Sequence, residues 1–189
     1  MKLVTGIVIT IAVLVAGFLF FYSSVLFSSN TSPSSDSAGI NLYANGTYGI
    51  SFPYSENYLI SEGERGTSAR PHYAIVLTHK DNADLPLAGG GPPTISIDIY
   101  DNSASQKTLE SWIATTPESN VTLGSGKLTN VSIDGEDARA YRWSGFYEGE
   151  TTVLLHGTQV IAIVVTTLTP EDAIVADYQA LLEGLTLSK

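Results

Sequence analysis

The apolar positions of this chain fall into two regimes. Residues 3–27 carry no charged side chain, while beyond residue 40 apolar residues come in short periodic runs divided by Gly, Asp and Pro. A helix of about 25 residues is about 37 Å long, more than the ~30 Å hydrocarbon layer of a bilayer. The run therefore predicts a transmembrane helix over residues 1–27. It exceeds the apolar region of a cleaved signal peptide and continues through Phe18 to Tyr22, which predicts an uncleaved signal anchor. Residues 28–39 hold six serines around Pro33, too little apolar surface to pack, and read as a flexible linker. Residues 40–189 are left as one folded domain.

Within that domain the alternation of period two predicts strands. Tyr48 to Phe52, stopped by Pro53, and Tyr58 to Glu62 read as an opening hairpin. Strands over residues 73–79 and 94–100 follow. In the second, Ile95, Ile97 and Ile99 point one way while Ser96, Asp98 and Tyr100 point the other. Residues 106–115 carry Leu109, Trp112 and Ile113 at helical spacing, with Ser105 as expected N-cap and Pro117 as stop. Four strands over residues 127–133, 138–143, 151–155 and 159–166 form a meander with turns expected at Asp134-Gly135, Glu148-Gly149 and Gly157-Thr158. Val160 to Val165 is apolar throughout, which places that strand centrally with both faces covered. A last helix opens at Thr169 and Pro170 and turns Ile174, Tyr178, Leu181, Leu182 and Leu185 inward. The fold class is α+β, with a central antiparallel sheet flanked by helices.

Charge narrows the partners. Lys2 is the only charged side chain before Asp36, so the remainder carries eight basic and nineteen acidic residues, a net −11. Such a surface repels phosphate backbones, which argues against nucleic acid. Lys2 and the amino terminus also place the short N-terminal end in the cytoplasm by the positive-inside rule, and the domain outside it. The absence of cysteine removes disulfides, thiolate metal sites and Cys nucleophiles together. Asn-x-Ser/Thr triplets at Asn30, Asn45, Asn120 and Asn130 are too common by chance to carry function.

The opening Thr47-Tyr48-Gly49-Ile50-Ser51-Phe52-Pro53-Tyr54, the Leu109/Trp112/Ile113 helix after a strand, the meander beginning near Val131-Ser132-Ile133-Asp134-Gly135, and the closing amphipathic helix together resemble the PsbP-like (Mog1/PsbP) family. The resemblance covers residues 41–189. It departs at Tyr54-Ser55-Glu56-Asn57-Tyr58, where the family often has Tyr-Pro-x-x-Trp. It implies an α-β-α sandwich used to dock onto protein complexes, as in photosystem II assembly or the binding of a small GTPase, and does not imply catalysis; no cofactor is expected.

The candidate chemistry is sparse. His72 and His79 differ by an odd number and should face opposite sides of one strand. Asp81, Asp84, Asp98 and Asp101 flank residues 81–93, and with His79 the first two are the weak candidates for calcium or zinc. Gly89-Gly90-Gly91 lacks the Lys-Ser/Thr of a phosphate loop. Ser144 lacks the flanking pattern of a nucleophile elbow, and Asp98 with Asp101 is no evidence for an acid–base pair. Tyr141, Trp143, Phe146 and Tyr147 cluster with Arg139 and Arg142, either as core packing or as a docking patch. The resulting expectation is a single-pass cell-membrane protein whose extracytoplasmic domain is a non-enzymatic binding or assembly module for a protein or envelope partner. Asp81, Asp84, Tyr141, Arg142, Trp143 and Tyr147 are its candidate contact residues. A small-ligand or metal-binding sensor domain is the alternative.

Overall fold

A computed structural model describes residues 39–85 and 91–188. The expected anchor and nearly all of the linker lie outside the described residues. Among the described residues no helix is long and apolar enough to cross a membrane.

Period-two patterning builds two antiparallel sheets. The larger takes β3 (Tyr58–Thr67), β4 (Arg70–His79), β5 (Thr94–Asp101), β6 (Thr129–Ile133), β7 (Glu136–Ser144), β8 (Glu148–His156) and β9 (Gln159–Thr167) in the spatial order β3-β4-β5-β9-β8-β7-β6. As the apolar run at Val160 to Val165 predicts, β9 is central, between β5 and β8. Its Val160 and Ala162 enter one core and Ile161, Ile163 and Val165 the other, all essentially without exposure.

Each core is closed by one helix. Helix α2 (Ile174–Gly184) buries Ile174, Tyr178 and Leu181 against Ile75, Leu77, Ile95, Ile97 and Leu154. Helix α1 (Leu109–Thr115) buries Leu109, Trp112 and Ile113 against Tyr100, Tyr141, Trp143 and Val153 on the opposite face. The smaller sheet, β1 (Ile40–Asn45), β2 (Ile50–Ser55) and β10 (Thr186–Leu187) in the order β1-β2-β10, adds Ile50 and Phe52 to the α2 side.

The expected opening hairpin is corrected. β2 pairs with β1 and β10, and β3 pairs over its whole length with β4. The chain changes sheets at Glu56–Asn57 because Ile50 and Phe52 sink into the α2 core while β3 takes an edge of the larger sheet.

Helix α1 begins later than expected, at Thr108, whose hydroxyl accepts the Ser111 N–H at 3.2 Å. Ser105 is held elsewhere. Its hydroxyl donates to Asn102 Oδ1 (2.6 Å), which also accepts the Lys107 N–H (3.0 Å), and Gln106 has φ 43°. Similarly, Thr169 and Pro170 form a turn ahead of α2 rather than its first residues. The Asp172 carboxylate closes that turn by accepting from the N–H of Leu168 (2.8 Å) and of Thr169 (3.1 Å) and from the Thr169 hydroxyl (2.7 Å).

Of the expected turns, Asp134-Gly135 holds, with both residues at positive φ (48° and 83°) as a two-residue hairpin requires. The β7–β8 turn lies at residues 145–147 instead of Glu148-Gly149, both of which belong to β8.

Candidate docking surface

The β7–β8 hairpin of the meander has a base pinned by buried aromatics and an exposed aromatic at its tip. Along β7 the alternation sends Tyr141 and Trp143 into the α1 core and Arg142 to the other side. The Tyr141 hydroxyl donates to the Ser119 carbonyl at 2.6 Å, and burial pushes its pKa up to about 12, so it stays a donor. The Trp143 indole N–H donates to Thr151 Oγ1 at 2.9 Å while its ring lies over Gly149, where an added Cβ would sit 2.2 Å from Cζ2. Arg142, exposed, pairs through Nε with Glu150 at 3.0 Å. Two members of the candidate patch are therefore the core that supports it.

The next residues face water. Phe146 is 78% exposed and meets Tyr147 edge to face, with ring centroids 5.1 Å apart and planes at 83°. The Gly145 N–H donates to the Tyr147 carbonyl at 2.9 Å, which closes the turn. The Tyr147 hydroxyl donates to the Gly91 carbonyl, so the hairpin tip and the end of the 81–93 segment meet. Pairing of Glu148 with Thr167 brings Leu168 beside the tip, and Leu123 lies near Gly145. Leu123, Phe146 and Leu168 are all exposed at this one end of the sheet. An aromatic on a rigid base with apolar neighbours is the composition that interface anchors favour.

The other candidates do not assemble into a reactive site. His79 Nδ1 accepts the Asp81 N–H at 3.3 Å and lies 3.6 Å from its carboxylate. His79 caps a short 3-10 turn, Lys80–Asn82, that contains Asp81, and Asp84 follows it exposed. Among the described residues no three His, Asp or Glu side chains converge to hold a cation. His72 faces the opposite side from His79, as parity predicts: it stacks on Tyr100 at 4.8 Å and lies 3.5 Å from Asp98.

Asp98 accepts the Ser96 hydroxyl at 2.9 Å, and burial holds its carboxyl above the usual range. The order serine, carboxylate, histidine is not that of a Ser-His-Asp triad, in which the imidazole itself touches the hydroxyl. Asp101 turns away to accept the Ser103 N–H (2.8 Å) and hydroxyl (3.0 Å), which lower its pKa. Ser144 donates to Glu148 at 2.8 Å. Of the triple glycine only Gly91 lies among the described residues, at φ 76°. His156 contacts the Ser188 carbonyl at 3.0 Å, near the end of the chain.

Sequence reasoning set Phe146 among the aromatics but named Tyr141, Arg142, Trp143 and Tyr147 as the contact residues of this group, and it missed Leu123 and Leu168. The usable signal was Phe146 inside Ser144-Gly145-Phe146-Tyr147-Glu148, a large aromatic in turn composition.

No family model matches the chain, and no curated protein matches it. The fold does match solved structures. The solution structure of cyanobacterial PsbP (CyanoP) from Synechocystis sp. PCC 6803 aligns with a TM-score of 0.56 at 12% identity, covering 80% of this chain and 94% of that one. A crystal structure from Bacteroides thetaiotaomicron VPI-5482 aligns with a TM-score of 0.49 at 12% identity, over 78% of this chain and 48% of that one. The described residues have a PsbP-like fold, mostly β-sheet with two α-helices.

Proposed function

We propose that this chain is a non-enzymatic binding or assembly module, tethered by its N-terminal segment to the outer side of the cell membrane, that docks a protein partner with the β7–β8 end of its sheet. The observation that carries the reading is Phe146, a large aromatic presented to water from a turn whose flanking strands are pinned by Tyr141 and Trp143. Exposing such a ring without a partner wastes burial of roughly 2 kcal/mol. Pre-organisation of its base lowers the entropy lost on docking. The likeness of fold to a PsbP supports a docking role, and the acidic surface favours a protein over a nucleic acid.

The test is photocrosslinking in the native setting. A benzophenone side chain at position 146 is expected to give a discrete protein adduct that excess unmodified chain competes away. The same group at Asp137, an exposed residue at the far end of β7, should give none. Phe146→Ser should abolish competition yet change stability by no more than about 0.5 kcal/mol, as for other surface substitutions. Equal adducts from both positions, or none from 146, would remove the proposal.

A further inference from the structure

A second feature lies on the α2 side, away from the β7–β8 tip. Where β2 passes into β3 beneath α2, the structure leaves a cavity of about 250 Å³ walled by Pro53, Tyr54, Leu77, Ile95 and Leu181 and by the ring of Tyr58. Apart from Ser55, the wall is polar at one point. There the buried Tyr58 hydroxyl donates to Asp177 Oδ2 at 2.6 Å, and the other carboxylate oxygen takes no hydrogen bond from a described residue. Among the described residues no lysine or arginine lines the cavity.

These features fix the chemistry of an occupant. An apolar cavity of about 150 Å³ already accepts a benzene ring, so this one has room for a ring with a short side arm. A half-buried carboxylate with no cation in its lining favours a positive group and opposes a second negative one. Burial, and then the hydrogen bond to Asp177, raise the Tyr58 pKa, so the phenol keeps its proton and remains the donor of that pair. Tyr54 and Tyr58 line the cavity, aromatic rings attract cations, and the net −10 of residues 40–189 draws cations to the surface.

We propose that this cavity is a binding site for a small organic cation, a protonated amine carried on an apolar body of about one ring. Asp177 receives the ammonium group, Tyr58 fixes the carboxylate, and Pro53, Leu77 and Leu181 enclose the apolar part. A purely structural role is the competing explanation, because Asp177 in the first turn of α2 also complements the helix dipole. That role gives no preference among ligands.

The experiment measures calorimetric binding of three probes of matched shape to the full-length chain: phenethylamine, phenethyl alcohol and phenylacetate. The amine is expected to bind at least about tenfold more tightly than the alcohol, and the acid not at all. Asp177→Asn should erase the advantage of the amine while the alcohol still binds. Ala180→Phe, a substitution at an exposed α2 residue on the cavity rim, should abolish all binding with the melting temperature unchanged. The proposal fails if no probe binds, if the alcohol or the acid binds as well as the amine, or if the amine still binds when position 180 carries Phe. The last criterion stands even where Asp177→Asn does not fold.

Discussion

Asp98 shows how a single carboxyl sets a pH dependence without serving chemistry. Burial raises its pKa against the opposing effects of the Ser96 hydroxyl and of His72. A carboxyl whose folded pKa lies above its unfolded value favours the native state while it is protonated. That advantage is lost as pH rises through the folded value. The ionised residue is therefore a cost at neutral pH. Asp98→Asn keeps an acceptor for Ser96 and is expected to melt above the wild type at about pH 7.5, the difference vanishing below about pH 3.5, where both side chains are neutral. A lower melting temperature for Asp98→Asn at neutral pH would mean that the contact with His72 outweighs desolvation. Asp172 has the opposite sign: hydrogen bonds from Thr169 and Leu168 lower its pKa, so its contribution to stability is lost on acidification.

At the scale of elements, the β7–β8 hairpin depends on one small residue under one large one. A Cβ at position 149 would meet the Trp143 ring 2.2 Å away, and the ring cannot swing aside without losing the hydrogen bond to Thr151. Gly149→Ala is expected to cost about 2–4 kcal/mol, from overpacking and the loss of that bond. Urea unfolding measures it, and combining the substitution with Trp143→Leu should restore part of the loss, since the two side chains compete for one space.

The same hairpin marks where the sequence was legible. Strand alternation located β7 although Arg142 was grouped with the aromatics that the structure turns to the other side, the apolar run of β9 announced a central strand, and Asp134-Gly135 named its own turn. Residues 145–149 misled because Glu148-Gly149 has turn composition. Its glycine is needed in the strand to make room for an indole, which no local pattern reveals. The partners of β2 were equally hidden. β10 lies far along the chain, so the pairing of Ser51 with Thr186 spans every strand of the larger sheet in sequence and leaves no local signal. The distinction between supporting and docking aromatics followed the turn. Once the turn moved to residues 145–147, Phe146 became its exposed tip, whereas residue type alone had made Tyr141, Trp143 and Tyr147 the contact residues and passed over Phe146.

For the molecule as a whole, the proposed function requires that the folded part stand outside the membrane, and the composition gives a direct way to measure this. The chain has no cysteine, so any cysteine introduced is the sole target of a maleimide. One inserted between Met1 and Lys2 keeps the lysine that orients the segment by the positive-inside rule. Asp137→Cys places a thiol on an exposed β7 position remote from both proposed binding sites. In intact cells a membrane-impermeant maleimide should label the thiol at 137, and it should label the N-terminal thiol only after permeabilisation. The reverse pattern would invert the topology and put both proposed sites in the cytoplasm. A labelled product whose sequence starts near Ser28 would show that the apolar run is removed. Docking would then be free in three dimensions rather than confined to the membrane surface, and Phe146 would have to supply affinity that tethering would otherwise provide through effective concentration.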